Sequence, residues 1–375
     1  MLSVSETCLT FRTEHLGRLS SSRPSGHNDA RSRLELRPTP QERFLKVLVV
    51  GRKGLGKTTW ISNMQAVYGS SEELAAANYQ PDDAEAHAAN EDAEMRNFKK
   101  DPCHMLTEMT LRDDRSLVTH HICIQDTPGY SKEVPVKHVT SYVRQQNKHF
   151  FDMEQSARRR VPVSALPDTR VDVCIFFLPA GPLRSHDMAA LSAIGSLVPI
   201  VPVIAKADVL DPDELRRVRK RIAAALDMMR VNDGLNCRHS FPADDITAAG
   251  APSSQIFTII GGNVLEQHDG RRWPARKYTW GKCETLLPEN SDVLALSRLL
   301  FELSITDLKD KTELRYLELR RRCLLVKSKR KEAEVASKLQ QMEANQQENV
   351  ERMAAKLQGM QELPCLADVH LPFVK

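Results

Sequence analysis

"LKVLVVGRKGLGKTTW", residues 45–60, decides the fold. Leu45, Val47, Leu48, Val49 and Val50 form a nearly continuous apolar, β-branched run. That is the pattern of a strand buried on both faces of a parallel sheet. Gly51-x-x-x-x-Gly56-Lys57-Thr58 follows, the phosphate-binding spacing that joins a strand to a helix. Glycines, Gly54 among them, let backbone N–H groups encircle phosphate oxygens, and the helix behind adds its positive N-terminal end. Lys57 is expected to neutralise the β- and γ-phosphates and the Thr58 hydroxyl to ligate Mg²⁺, with Thr59 beside them. The alternative is a chance glycine-rich turn. The strand ahead and the apolar Trp60, Ile61 and Met64 behind argue against it. The loop is expected to bind a nucleotide.

The 375 residues can hold one large domain or two ordinary ones, and 41% hydrophobic residues are enough for a substantial core. No stretch reaches the apolar length of a membrane span, and charges from Glu6 onward exclude the apolar region of a signal peptide. Eight cysteines are scattered without a C-x-x-C pair. Structural zinc is not expected, and a reduced, cytoplasmic compartment is. A net charge of +4 neither demands nor excludes an anionic partner.

Residues 1–40, rich in Ser, Arg and Pro, read as a disordered tail. The polar, Ala-rich stretch from Ser70 to Asp101 reads as a mobile loop, with room for a marginal helix. The strand in "HHICIQ" leads into Asp126, and the runs Val171–Leu178 and Val198–Ile204 read as parallel strands separated by a helix. Strands alternating with amphipathic segments predict an α/β sheet covered by helices. After Pro288 the pattern is helical to about Met360.

Asp126-Thr127-Pro128-Gly129 stands where a second phosphate motif belongs. Asp126 is expected to bind Mg²⁺ through water, and the Gly129 N–H to sense a γ-phosphate. Ala205-Lys206-Ala207-Asp208 follows a strand. A carboxylate there can accept both N1–H and N2–H of guanine, a donor pair adenine lacks, while the Lys206 stem covers the base. The tetrapeptide is weak alone. Third in order behind the other two motifs, it points to guanine.

With these residues in view the chain resembles the septins, GTP-binding cytoskeletal proteins. "DTRVDVCIFFLPAG", "GPLRSHD", "IIGGN…WPARKYTWGKCE" and "LFELSITDLKDKTELRYLELR" carry the resemblance beyond the general GTPase motifs. It implies a P-loop GTPase three-layer sandwich with septin-type additions over residues 44–322. A C-terminal helix, a short coiled coil over residues 323–362, and a flexible tail at 363–375 follow. It further implies GTP or GDP with Mg²⁺ as cofactors and other septins, or further copies of itself, as partners in oligomers or filaments. A cytoskeletal location follows, with a scaffold or diffusion-barrier role in cell division or membrane organisation. Gly262 would contact the nucleotide, Arg276 would line the guanine pocket, Trp280 would stand at a contact between G domains, and Glu214 would reach a neighbour's nucleotide.

Three of these have a plainer alternative. Arg276 could be a solvated loop cation, Trp280 a core residue, and Glu214 a helix cap with Asp211. The run Arg216, Arg217, Arg219, Lys220 and Arg221 reads as a solvated face. The cluster Arg320–Lys331 is the better of two candidates for an anionic membrane surface, whereas no stacking platform for nucleic acid is visible. Val335, Leu339, Met342, Val350, Met353, Leu357 and Met360 lie on an imperfect a/d spacing, with a stutter at Gln346. A helix packed on its own domain is the alternative to a coiled coil.

The septin pattern is not matched throughout. Tyr130 is followed by Ser131-Lys132 where Gly-Asp is usual, and Gly181 stands at the place of a histidine that crosses the interface. The water-orienting threonine falls on Cys103, with Thr107 nearby, and no glutamine follows DTPG. Thr107 and Arg184, the latter a candidate arginine finger, are the remaining catalytic candidates. Slow or absent hydrolysis is therefore expected. A monomeric signalling GTPase is the alternative function and a metabolic ATPase a more distant one. "KYTWG" and the final helix disfavour the first, the AKAD segment the second.

Overall fold

The computed structural model describes residues 41–69, 91–113, 118–132, 136–156, 168–229, 238–268 and 271–361. The expected N-terminal tail, most of the Ala-rich stretch and the 363–375 tail lie outside these residues. Strand β1 (Gln41–Gly51) runs parallel to β3 (Val118–Gln125) on one edge and to β4 (Val173–Leu178) on the other. The six-stranded sheet has the order β2-β3-β1-β4-β5-β6. Only β2 (Leu106–Asp113) is antiparallel to its neighbour, while β5 (Ile200–Ala205) and β6 (Phe257–Ile259) continue the parallel part.

Alternation along β1 builds both cores. Leu45, Val47 and Val49 pack with Trp60, Ile61 and Met64 of α1 (Lys57–Tyr68) and with Leu300 and Phe301. Leu48 and Val50 face α3 (Lys137–Glu154), α4 (Ser185–Gly195) and α5 (Pro212–Met228), through Val143, Leu191 and Val218. Every residue of β4 and β5 is buried, which is why both read as unbroken apolar runs. The result is a three-layer α/β sandwich.

Two sequence expectations need correction. Helix α2 (Glu91–Lys100) is regular structure at the end of the supposed loop. It is anchored by Phe98, whose ring meets Tyr142 at 5.5 Å and His138 at 6.0 Å. Arg219 is not on a solvated face, since its guanidinium meets Asp292 at 2.6 Å. That carboxylate also accepts the Thr258 N–H at 2.8 Å, so Arg219 ties α5 to β6. A short helix α6 (Ala243–Ala249) precedes β6. Strands β7 (Val264–His268), β8 (Arg271–Tyr278) and β9 (Gly281–Glu284) form a separate antiparallel sheet. Helix α7 (Val293–Arg298) and a π-helical turn then lead into α8.

Helix α8 (Ile305–Gln361) is continuous across the expected boundary at 322/323. Its first third is fastened to the domain. The fully buried Asp172 accepts the Lys46 N–H at 2.8 Å and the Thr312 hydroxyl at 2.9 Å, and meets the Lys309 ammonium at 2.7 Å. Arg170 lies over the rings of Phe150 and Tyr316 while pairing with Asp168 and Glu313. Beyond Leu324 the described side chains are exposed, Val335 at 66% and Met353 at 68%. The alternative of a helix packed along its own domain therefore fails for these residues, while the side chains of Leu357 and Met360 lie outside the described set. No helix among the described residues is long and apolar enough to cross a membrane.

His239 makes the fold sensitive to acid. Its ring packs on Phe241 at 4.3 Å, with Lys311 Nζ 3.4 Å from Nδ1 and Asp307 3.5 Å from Nε2. Burial first, then the Lys311 and Arg315 charges, push its pKa down from 6.5 to about 3. The unfolded chain therefore binds a proton that the folded chain refuses. This stabilisation is complete above pH 6.5 and is lost as the pH falls toward 3. Urea unfolding between pH 7 and pH 4 should show falling stability, with a shallower fall in His239→Gln. An unchanged slope in the variant would assign the acid sensitivity to other groups.

Candidate nucleotide site

Three segments leave the sheet at the carboxyl ends of β1, β3 and β5, and the strand order reverses at β1. Ligands of open α/β sheets bind at such a reversal. Gly56 turns the loop into α1 with φ of 81°, a left-handed conformation that a side chain would strain. Lys57 is buried, and its Nζ donates to the carbonyls of Gly51 at 3.2 Å and Arg52 at 3.1 Å. The Thr58 hydroxyl donates to Asp126 Oδ2 at 2.6 Å, and Asp126 Oδ1 accepts the Thr127 N–H at 2.8 Å. Thr127 in turn donates to the carbonyl of Val49 at 2.7 Å, which joins the end of β3 to β1.

Burial acts against both charges here. It pushes the Lys57 ammonium below the ordinary lysine range, with Asp126 pulling the other way. It pushes the Asp126 carboxyl up, opposed by Lys57 and by the Thr58 hydroxyl. A buried ammonium beside a hydroxyl–carboxylate pair suits a polyanion carrying a hard cation, and oxygen ligands of this kind fit Mg²⁺. Gly129 passes directly over the loop: a Cβ there would stand 2.5 Å from the Lys53 nitrogen.

The other end of the site is built on β5. Lys206 follows it in the left-handed region, with φ of 55°, a strained state for a residue with a side chain. The Asp208 side chain is 5% exposed. Its Oδ2 accepts a hydrogen bond from the Tyr278 hydroxyl, while Oδ1 is buried without a hydrogen-bond partner. Arg276 Nη1 lies 3.8 Å from that oxygen. Burial first, then the bond to Asp208, push the Tyr278 phenol up to about 12, so it remains a donor at neutral pH. Gly262 lies against the backbone of Ala275, and Gly261 against Thr59, which seats the small sheet beside α1.

The structure thus brings Gly51, Gly54, Gly56, Lys57, Thr58, Asp126 and Gly129 together, and separately Lys206, Asp208 and Arg276. Arg276 stands on β8 rather than in a loop. Glu214 caps α5, its Oε2 accepting the Asp211 N–H at 3.3 Å. Trp280 is not a core residue. It occupies the tight turn between β8 and β9, 81% exposed, stacked on Tyr278 at 4.9 Å. Thr107 stands on β2, paired in the ladder with Ile124 of β3. Arg184 is exposed just before α4, and Gly181 is exposed with open space around it.

Sequence reading missed two features. The Tyr278 hydroxyl on Asp208 was one. The other is the buried Asp187 carboxylate, which joins Arg52 to Tyr130. Arg52 and Asp187 stand 135 positions apart, a separation that no local pattern records.

Known proteins show the same architecture. A profile of the family described as Septin matches residues 41–334. Septin-11 of Homo sapiens is 25% identical over 322 residues, covering 83% of this chain and 68% of its own length. Septin-8-A of Danio rerio is 26% identical over 325 residues, covering 84% and 70%. The solved septin GTPase domain of Chlamydomonas reinhardtii is 29% identical, with a TM-score of 0.62 over 75% of this chain and 99% of that one. The family profile spans both ends of the nucleotide site, the β7–β9 sheet and the fastened part of α8. The chain belongs to the septin family of GTP-binding proteins.

Proposed function

We propose that this septin binds GTP or GDP with Mg²⁺ at the carboxyl end of its sheet and assembles through its G domains, turning GTP over slowly or not at all. The observation that carries the base assignment is Asp208 Oδ1, a buried acceptor without a hydrogen bond. A buried polar atom left unpaired is costly, and the donor edge of guanine supplies what it lacks. Lys57 and the loop amides hold the phosphates. Thr58 and Asp126 hold Mg²⁺, which neutralises phosphate charge when bound. Support for assembly comes from the exposed Trp280 stacked on Tyr278 and from the exposed apolar residues of α8. Large amphipathic rings are favoured interface anchors. A monomeric switch uses neither surface. The exposed cations Lys329, Arg330 and Lys331 support peripheral contact with an anionic membrane. Arg320 and Arg322 contribute less to it, because they already pair with Glu154 and Glu318. A cytoskeletal location and a scaffold role in cell division or membrane organisation follow from assembly, as in the family at large.

Asp208→Asn should lose GTP affinity by about 1.5–3 kcal/mol, the range for a charge-assisted hydrogen bond, and gain tolerance for xanthine nucleotide. Competition binding measures both. If the parent bound ATP as tightly as GTP, Asp208 would not be the base reader.

Trp280→Ala should weaken assembly by about 2 kcal/mol or more and shift the protein toward monomer without altering its unfolding. Sedimentation velocity with GDP present decides the matter. An unchanged profile, with assembly shown for the parent, would remove Trp280 from the interface.

Slow turnover follows from what surrounds the phosphates. No glutamine follows DTPG and Gly181 carries no side chain, so water positioning and added positive charge are both poorly supplied. Single-turnover GTP hydrolysis should take minutes or longer. Hydrolysis within seconds would overturn this, and its loss in Arg184→Ala would identify Arg184 as an arginine finger.

A further inference from the structure

Tyr130 directly follows Gly129, the residue whose N–H is proposed to meet a γ-phosphate. Its ring is 2% exposed and packs on Phe176 at 5.8 Å. The hydroxyl donates to Asp187 Oδ1 at 3.0 Å. Asp187 is fully buried and accepts three further bonds: from Arg52 Nε at 2.6 Å, from Arg52 Nη2, and from the Arg184 N–H at 2.7 Å. Four donors fill the capacity of a carboxylate. Arg52 is itself part of the phosphate loop, and its backbone bridges that of Tyr130, whose N–H lies 3.4 Å from the Gly51 carbonyl. The connections close a ring from the phosphate loop through Asp187 to Tyr130 and back through the backbone.

We infer that Arg52, Asp187 and Tyr130 form a side-chain clamp that holds Gly129 against the phosphate loop, making Tyr130 a positioning residue for the γ-phosphate. In switch GTPases the corresponding segment is ordered by γ-phosphate contacts and released when they are lost. Here side chains supply the order. A sensor that is already in place costs a triphosphate nothing to arrange, so the clamp favours GTP specifically. GDP, which does not reach the sensor, gains nothing from it. The inference rests on the nucleotide site proposed above and deepens it.

Tyr130→Phe is the appropriate probe, because it removes one hydroxyl and keeps the buried ring. Substituting Arg52 or Asp187 would leave a buried charge unpaired and risk the fold. Binding of fluorescent GTPγS and GDP should be measured with Mg²⁺ on the full chain, together with hydrogen exchange of the nucleotide-free protein. The Kd for GTPγS should rise roughly five- to tenfold in the variant, the usual worth of one hydrogen bond, while that for GDP stays within about twofold. The Tyr130 amide, which bonds the Gly51 carbonyl, should exchange more slowly in the parent than in the variant, by a similar factor. Equal weakening of both nucleotides, no change in either, or fast exchange in the parent would overturn the clamp. A parent that bound neither nucleotide would count against the proposed site, and the exchange rates would still decide the clamp.

Discussion

The nucleotide end of the molecule depends on β1 being hydrogen-bonded by parallel strands on both edges. A strand so placed cannot slip by a residue without turning its whole side-chain set to the opposite face. With Val47 and Val49 committed to one core and Leu48 and Val50 to the other, the point at which Gly51 leaves the sheet is determined. Asp126 and Asp208 leave the same edge from β3 and β5. Their distances from the phosphate loop are thus consequences of register rather than of loop conformation.

The parts of the fold that could be read from the sequence are those in which one residue's surroundings repeat along the chain. β4, β5 and the second half of β1 are apolar runs because both faces are covered, and α5 shows its period through Val218 and Ile222. Contacts made once, between distant residues, leave no period. The Asp172–Lys309 pair, the Arg219–Asp292 pair and the Arg52–Asp187–Tyr130 clamp all belong to that class.

The candidate site divides in the same way. Phosphate chemistry needs glycines, a lysine and a hydroxyl at fixed spacing on one short loop, so it was visible at once. Base chemistry needs β5, β8 and the β8–β9 turn to come together across 70 positions between Asp208 and Tyr278. The spacing of AKAD could suggest a carboxylate, but not that Tyr278 would occupy one of its oxygens and leave the other open.

One mechanical property follows from the uninterrupted backbone of α8. The helix is fixed at its root by Asp172 and Arg170 and has no hinge where it leaves the domain. The portion beyond Leu324 extends for roughly 50 Å at about 1.5 Å per residue. It is a lever whose short arm is embedded in the G domain. A tilt of about 5° at the root displaces the far end by several ångströms, close to the pitch of one helical turn. Two such levers side by side would translate small differences in how their domains meet into a change of register between the helices.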